Sequence, residues 1–278
     1  MLFDGDPVAR PPPFNRALAY GDGLFETLAW NGGRLPLWPW HIQRLQTGCA
    51  RLGLEPPDPA LLADEAARLA PPAGRAVLRL TVFRRAASAG SVRGYRTAGC
   101  RAVHRLWTVH DGPGDDAGGG VLGVVGESGI ACAVQPQLAG LKHLNRLEQV
   151  LAARECEREG WDEALMFTAA GALVGAVFGN VIYRRDGEWW TPAVDHAGVA
   201  GVGRAWLLAR RLVAVEPQPL DRLRWRAAAR HGITALAVVN AVRGVRPVVA
   251  YRGVCFAESA AVEAVQRALG DVLAGGGG

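Results

Sequence analysis

The sequence predicts a mixed α/β or α+β protein, of one large domain or two modest ones. Strand-like and helix-like segments alternate along the chain, which is the pattern of α/β and α+β folds. A glycine-rich stretch, His110 to Gly120, separates a first hundred residues from a longer second part. Half of the 278 residues are hydrophobic, enough for a substantial core. The glycine-rich stretch is a linker or an exposed loop; taken as a linker, it sets an N-terminal α/β domain over 1–108, a linker over 109–120 and a second domain over 121–278.

Each element follows from local pattern. Leu24 to Trp30 reads as a strand entered through the turn Tyr20-Gly-Asp-Gly23. Ile42, Leu45, Cys49 and Leu52 recur at three- to four-residue spacing, so Trp40 to Leu52 reads as an amphipathic helix closed by Gly53. Asp58 and Pro59 open a second helix running to Leu69. Ala76 to Phe83 and Arg101 to Val109 read as strands, as do Val121 to Val125 and Ala131 to Val134. Leu144, Leu147, Val150 and Leu151 have helical spacing. Glu163 to Phe167, Gly179 to Tyr183 and Trp189 to Thr191 read as a strand meander with turns at Ala170-Gly171 and Asp186-Gly187. Gly198 to Val213 begins as a turn and becomes a helix. Ala235 to Val239 reads as a strand, Ser259 to Leu273 as a helix, and Gly275 to Gly278 as a disordered tail.

Composition removes several function classes. No apolar run is long enough to span a bilayer, and the first residues lack a signal-peptide pattern, so a soluble cytoplasmic protein is expected. The five cysteines are scattered and unpaired by spacing, and the six histidines show no ligand spacing, so neither a disulfide framework nor a metal site is expected. The formal charge of +5 comes from dispersed arginines with no basic block, which argues against nucleic acid. Some of those arginines could face an anionic small molecule.

Lys142 is the single lysine among 31 basic residues. A lone lysine is ordinarily a solvated charge. In a chain that uses arginine everywhere else, its survival points to chemistry that arginine cannot perform, since a lysine amine can lose its proton and attack a carbonyl. Leu138, Leu141 and Leu144 could supply the apolar surroundings this needs. Gly198-Val-Ala-Gly-Val-Gly-Arg204 leads into a helix and could present free N–H groups to a phosphate, although glycine-rich turns before helices are common. Asn240-Ala241 ends an apolar strand, where a polar residue is often only a turn former. Arg44 lies beside the apolar face of its helix, either snorkelling outward or reaching inward to an anion.

These segments together resemble the fold-type IV pyridoxal-phosphate enzymes, which include branched-chain and D-amino acid aminotransferases and aminodeoxychorismate lyases. The resemblance rests on Leu18-Ala-Tyr-Gly-Asp-Gly-Leu-Phe-Glu-Thr27, His41-Ile-Gln-Arg-Leu45, Arg93-Gly-Tyr95, Asp162-Glu-Ala-Leu165, Thr191-Pro192 and Gly198-Val-Ala-Gly-Val202, in the family's order. The phrase Leu138-Ala-Gly-Leu-Lys-His-Leu-Asn-Arg-Leu-Glu-Gln149 looks most like the lyases. The resemblance implies two α/β domains with pyridoxal 5′-phosphate at their interface, usually in a homodimer. It implies that Lys142 carries the cofactor, and that Arg44, Val202, Gly203, Asn240 and Ala241 bind its phosphate. Arg93 and Tyr95 would face the substrate, with Arg93 a candidate carboxylate partner.

One departure matters. The family usually places a glutamate five residues before the position of Asn180, to pair with the pyridine nitrogen; here Gly175 stands there. A protonated ring nitrogen strengthens the electron sink that transamination needs. Its loss weighs more against a transaminase than against a lyase whose product is aromatic. The expected activity is therefore elimination of pyruvate from 4-amino-4-deoxychorismate. A fold-type IV aminotransferase and a non-catalytic cofactor-binding relative are the alternatives.

Overall fold

The computed structural model describes residues 1–86, 94–97, 99–112, 120–256 and 260–275. The chain divides into two compact units. Met1–Pro113 with Leu141–Asn145 forms the first, and Gly114–Gly140 with Arg146–Gly278 the second.

The first unit is built on an antiparallel sheet of order β1-β4-β3-β2, where β1 is Leu2–Phe3, β2 Gly23–Asn31, β3 Arg75–Arg84 and β4 Val103–Asp111. Ala76, Leu78, Leu80 and Val82 alternate inward along β3. That period of two places one apolar face under the helices. The helices are α1 (Arg16–Tyr20), α2 (Trp38–Leu52) and α3 (Pro59–Leu69). Asp58 caps α3 by accepting from the Ala60 and Leu61 N–H groups, with Pro59 at the first helical position. Gly53 closes α2 in the left-handed region at φ 62°.

Sequence and structure differ at the domain boundary. β4 continues to Asp111, with His110 opposite Val77 and Asp111 opposite Ala76, so the head of the expected 109–120 linker is strand. Residues 113–119 of that linker lie outside the described residues. Lys142, expected in the second domain, belongs with the first unit. The Phe25 N–H donates to the Lys142 carbonyl at 2.9 Å, and the Leu144 N–H to the Gly23 carbonyl at 3.1 Å. These bonds lay the lysine stretch along the free edge of β2, and unpaired strand edges recruit such partners.

The second unit carries a nine-stranded sheet of order β10-β9-β8-β11-β12-β5-β6-β7, with β13 paired to β12. Its strands are β5 (Leu122–Glu127), β6 (Glu163–Phe167), β7 (Leu173–Ala176), β8 (Asn180–Arg185), β9 (Glu188–Thr191), β10 (Ala214–Val215), β11 (Ile233–Asn240), β12 (Gly244–Tyr251) and β13 (Val254–Cys255). β5 pairs in parallel with both β12 and β6. The helices are α4 (Leu147–Glu159), α5 (Val202–Ala209), α6 (Arg222–His231) and α7 (Ala260–Ala274). Trp225 of α6 sits edge-on to Tyr183 and Tyr251, with ring centroids 5.1 and 6.1 Å away, at the centre of an apolar cluster.

Ala131 to Val134, expected as a strand, makes only a bridge between Cys132 and Thr168, because its other residues face solvent. The helix expected to reach Val213 stops at Ala209. Arg211 at φ 57° turns the chain out of helical conformation. Ser259 and the terminal residues 276–278 lie outside the described residues.

Candidate active site

In the first unit the chemistry gathers on β2. Phe25 points its ring at two cations: the Lys142 Nζ is 4.1 Å from its centroid and the Arg79 guanidinium carbon 4.0 Å. Lysine and arginine are both attracted to the ring face. The apolar wall against the lysine amine is therefore Phe25, which is buried. Arg79 is half-buried on β3, opposite Thr27, and desolvation pulls its pKa down. No hydrogen bond or carboxylate is shown on Arg79 among the described residues. A cation so placed suits an anionic ligand.

The next residue of β2, Glu26, points the other way into the unit. Its carboxylate accepts from Arg44 Nε at 2.9 Å and from Arg44 Nη2, and meets His41 Nδ1 at 2.6 Å. Burial alone would raise the Glu26 pKa, but the Arg44 charge and the His41 hydrogen bond outweigh it and hold the carboxyl at about 2. Burial lowers the His41 pKa against the pull of Glu26, and Arg44 and Lys142 add to the depression. Arg44 thus reaches inward from α2, and its pairing with Glu26 fixes where the guanidinium sits.

The turn Tyr20-Gly-Asp-Gly23 organises the neighbouring loop. Asp22 gathers Arg16 at 2.7 Å and Arg84 at 3.0 Å. Arg16 donates to the Gly94 and Tyr95 carbonyls, and the Gly94 N–H donates to the Tyr20 hydroxyl. Tyr95 stacks at a tilt on Tyr20, 5.4 Å between centroids, and is otherwise exposed. Arg93 lies outside the described residues. Gly21 adopts φ 62°, and a Cβ there would meet the Asn145 amide at 2.4 Å. Only glycine lets the turn approach the lysine stretch so closely.

In the second unit α5 begins at Gly201 without a side-chain cap, and its first helical bond runs from the Ala205 N–H to the Gly201 carbonyl. The N–H groups of Val202 and Gly203 precede that bond and point out of the helix start, where the helix dipole favours an anion. Gly203 packs against the end of β11: a Cβ there would stand 3.0 Å from Val239 and 3.5 Å from the Asn240 carbonyl. The structure therefore brings Gly203, in the first turn of α5, against the Val239–Asn240 end of β11. The Asn240 side chain itself serves the backbone, accepting from the Val242 and Arg243 N–H groups and donating to the Phe178 carbonyl. It acts as a turn former.

Two residues that sequence reasoning missed brace this region. Buried Arg204 donates to Thr191 Oγ1 at 3.1 Å and to the Pro192 carbonyl at 2.8 Å, tying α5 to the end of β9. Desolvation lowers its pKa to about 10. Asn180 donates to the Val199 carbonyl and accepts from the Gly201 N–H. Its signal was the family phrase that ends on it.

Gly175 sits in β7 opposite Met166. A Cβ there would meet only the Gly179 carbonyl, at an ordinary 3.4 Å, and the backbone is not left-handed. Neither space nor conformation demands glycine.

A profile of the class IV amino-transferases matches residues 23–251. The chain belongs to this family, the fold-type IV enzymes whose cofactor is pyridoxal 5′-phosphate. Among its relatives, the aminodeoxychorismate lyase of Vibrio harveyi is 28% identical over 206 residues, 74% of each chain. The crystal structure of 4-amino-4-deoxychorismate lyase from Pseudomonas aeruginosa is 34% identical, covers 98% of both chains and superposes with a TM-score of 0.83. The branched-chain amino acid aminotransferase of Escherichia coli shares the fold at TM-score 0.82 but only 18% identity, over 99% of this chain and 94% of its own.

Each unit by itself carries groups that fit this cofactor: the first a lysine amine against an aromatic wall, suited to a carbonyl, and the second helix-start N–H groups, suited to a phosphate. The fit lacks a carboxylate at Gly175 for the ring nitrogen.

Proposed function

We propose that this chain is a pyridoxal-phosphate-dependent lyase that converts 4-amino-4-deoxychorismate to 4-aminobenzoate and pyruvate, a step toward folate. The observation that carries the reading is the 34% identity, over nearly both whole chains, to a structure bearing that lyase name. Gly175 agrees with it, because aromatisation drives the elimination where a transaminase would need the stronger electron sink.

In this reading Lys142 anchors the cofactor. Arg44, the Val202 and Gly203 N–H groups and the Asn240-Ala241 turn hold its phosphate. The bound cofactor serves as an electron sink for the ring carbon bearing the substrate nitrogen. The Lys142 amine takes the proton from that carbon as general base. The electrons of the C–H bond form the new ring double bond as the ether C–O bond breaks. The departing enolpyruvyl group takes up a proton at its methylene carbon, from the same lysine, to become pyruvate. Phe25 keeps water from one side of the amine. The substrate carries two carboxylates. We assign one to Arg93, beside Tyr95, and the other to Arg79, whose half-buried charge shares the Phe25 ring with Lys142.

The protein is further proposed to be cytoplasmic and to act as a homodimer. No helix of the described residues is long and apolar enough to cross a membrane. Leu147, Val150 and Leu151 form an exposed apolar stripe on α4, which a second copy of the chain would cover.

The reading is tested by supplying the cofactor-loaded enzyme with 4-amino-4-deoxychorismate, and separately with branched-chain or D-amino acids plus 2-oxoglutarate. Pyruvate and 4-aminobenzoate in equal amounts support the lyase. Glutamate formation without pyruvate release replaces it with an aminotransferase.

A further inference from the structure

Glu163 is buried at the start of β6, 1% exposed, and forms no ion pair among the described residues. Its Oε1 accepts from the Val177 N–H at 2.9 Å, the Ala164 N–H at 3.1 Å and the Phe178 N–H at 3.3 Å; its Oε2 lies 3.2 Å from the same Phe178 nitrogen. Val177 and Phe178 form the turn between β7 and β8, closed by the Ala176 N–H on the Gly179 carbonyl at 2.9 Å. Both parts of the proposed phosphate cradle are fastened to this turn. Asn240 donates to the Phe178 carbonyl at 3.3 Å while its Oδ1 shapes the 240–243 turn. Asn180, two residues on, holds the Val199 carbonyl at 2.9 Å and the Gly201 N–H at 3.1 Å at the start of α5. Gly179 leaves no slack, since a Cβ on it would lie 2.6 Å from the Val239 carbonyl.

We propose that the Glu163 carboxylate is a positioning residue for the phosphate cradle, setting through the Val177–Phe178 turn the spacing between the α5 N–H groups and the Asn240-Ala241 turn, so that phosphate affinity depends on its ionisation. This rests on the cradle reading above. An ionised carboxylate offers lone pairs on both oxygens to these N–H groups; once protonated, one oxygen presents a donor to them instead. Burial pushes the Glu163 carboxyl up to about 7, against the pull of the Ala164, Phe178 and Val177 N–H groups and of Arg246. Two facing groups act on it. Arg246 on β12 donates to the Gly120 carbonyl, and the Cys156 thiol of α4, pushed up to about 11 by burial, stays neutral. The turn is therefore fully pinned above neutrality and loosens below it.

The test uses the full-length apo-protein and E163Q, titrated with pyridoxal phosphate and with pyridoxal, which differs only in lacking the phosphate, on both sides of neutrality. The wild type is expected to lose phosphate preference on acidification more steeply than E163Q, which starts about tenfold lower. The ligand's own second phosphate ionisation affects both proteins alike, so their difference reports Glu163. A wild-type-like preference and pH course in a folded E163Q overturns the proposal. Should E163Q not fold, the Phe178 amide proton of the unliganded wild type decides by NMR. It is expected to titrate near neutrality, and a flat shift overturns the proposal. A titrating amide with no preference for pyridoxal phosphate over pyridoxal in the wild type instead overturns the cradle reading and leaves the pinned turn standing.

Discussion

Arg79 is proposed to take one of the substrate carboxylates. Its charge is half-desolvated over Phe25, and an incoming carboxylate would restore the lost interaction. Arg79→Gln is expected to raise KM by about 10- to 100-fold, with a smaller effect on kcat, because a charge-assisted bond is worth about 1.5–3 kcal/mol. Arg79→Lys should recover part of it, and an unchanged KM in steady-state kinetics would remove Arg79 from the site. Glu26 makes a different prediction. Its folded pKa of about 2 lies below the 4.5 of an ordinary glutamate, so its contribution to stability is present above pH 4.5 and is lost as pH falls toward 2. The shift corresponds to about 3 kcal/mol at neutral pH. Urea unfolding should show the wild type losing more stability than E26Q across that acid window. Lys142 was legible in the sequence because it was unique. Arg79, Glu26, Arg204 and Glu163 were not, since a charged residue's burial and partner come from strands and helices distant in sequence.

At the scale of elements, the two glycines Gly175 and Gly201 should respond oppositely to a side chain. A Cβ at Gly175 meets ordinary contact, so Gly175→Ala should be neutral or stabilise by up to about 1 kcal/mol through the unfolded chain. A Cβ at Gly201 would sit 2.0 Å from Asn180 Oδ1, so Gly201→Ala must displace that amide from the α5 start. Thermal unfolding should show a loss above about 2 kcal/mol for Gly201→Ala alone, and equal melting temperatures for the two variants would contradict this packing. Elements with local signals were readable: the Asp58-Pro59 opening of α3, the alternation of β3 and the Asp186-Gly187 turn, at φ 54° and 83°. β12 was not, because Pro247 argues against a strand interior; it stands one residue before β5 begins to pair, at Val248 opposite Leu122. β7 was hidden by Gly175, and α6, rich in arginine, shows its buried side only through Trp225 and Ala229.

At the scale of the molecule, the sequence reading set Lys142 within 121–278, whereas the structure groups it with Met1–Pro113. Backbone bonds from β2 to residues 142 and 144 cannot be seen in a hydrophobic pattern, and they group Leu141–Asn145 with the first unit. The proposed homodimer belongs to this scale too. Sedimentation should show a dimer at micromolar concentration, and the double substitution Leu147→Glu with Val150→Glu should shift it toward monomer without unfolding it. A monomeric wild type would send the α4 stripe in search of another partner.

The proposed function stands on Lys142 anchoring pyridoxal phosphate. Borohydride reduction of the cofactor-loaded protein, followed by peptide mass mapping, tests it most directly, because the chain offers a single lysine. A stable pyridoxyl adduct is expected on the peptide containing Lys142, absent from Lys142→Arg. Recovery of that peptide unmodified from folded, cofactor-treated protein would contradict it.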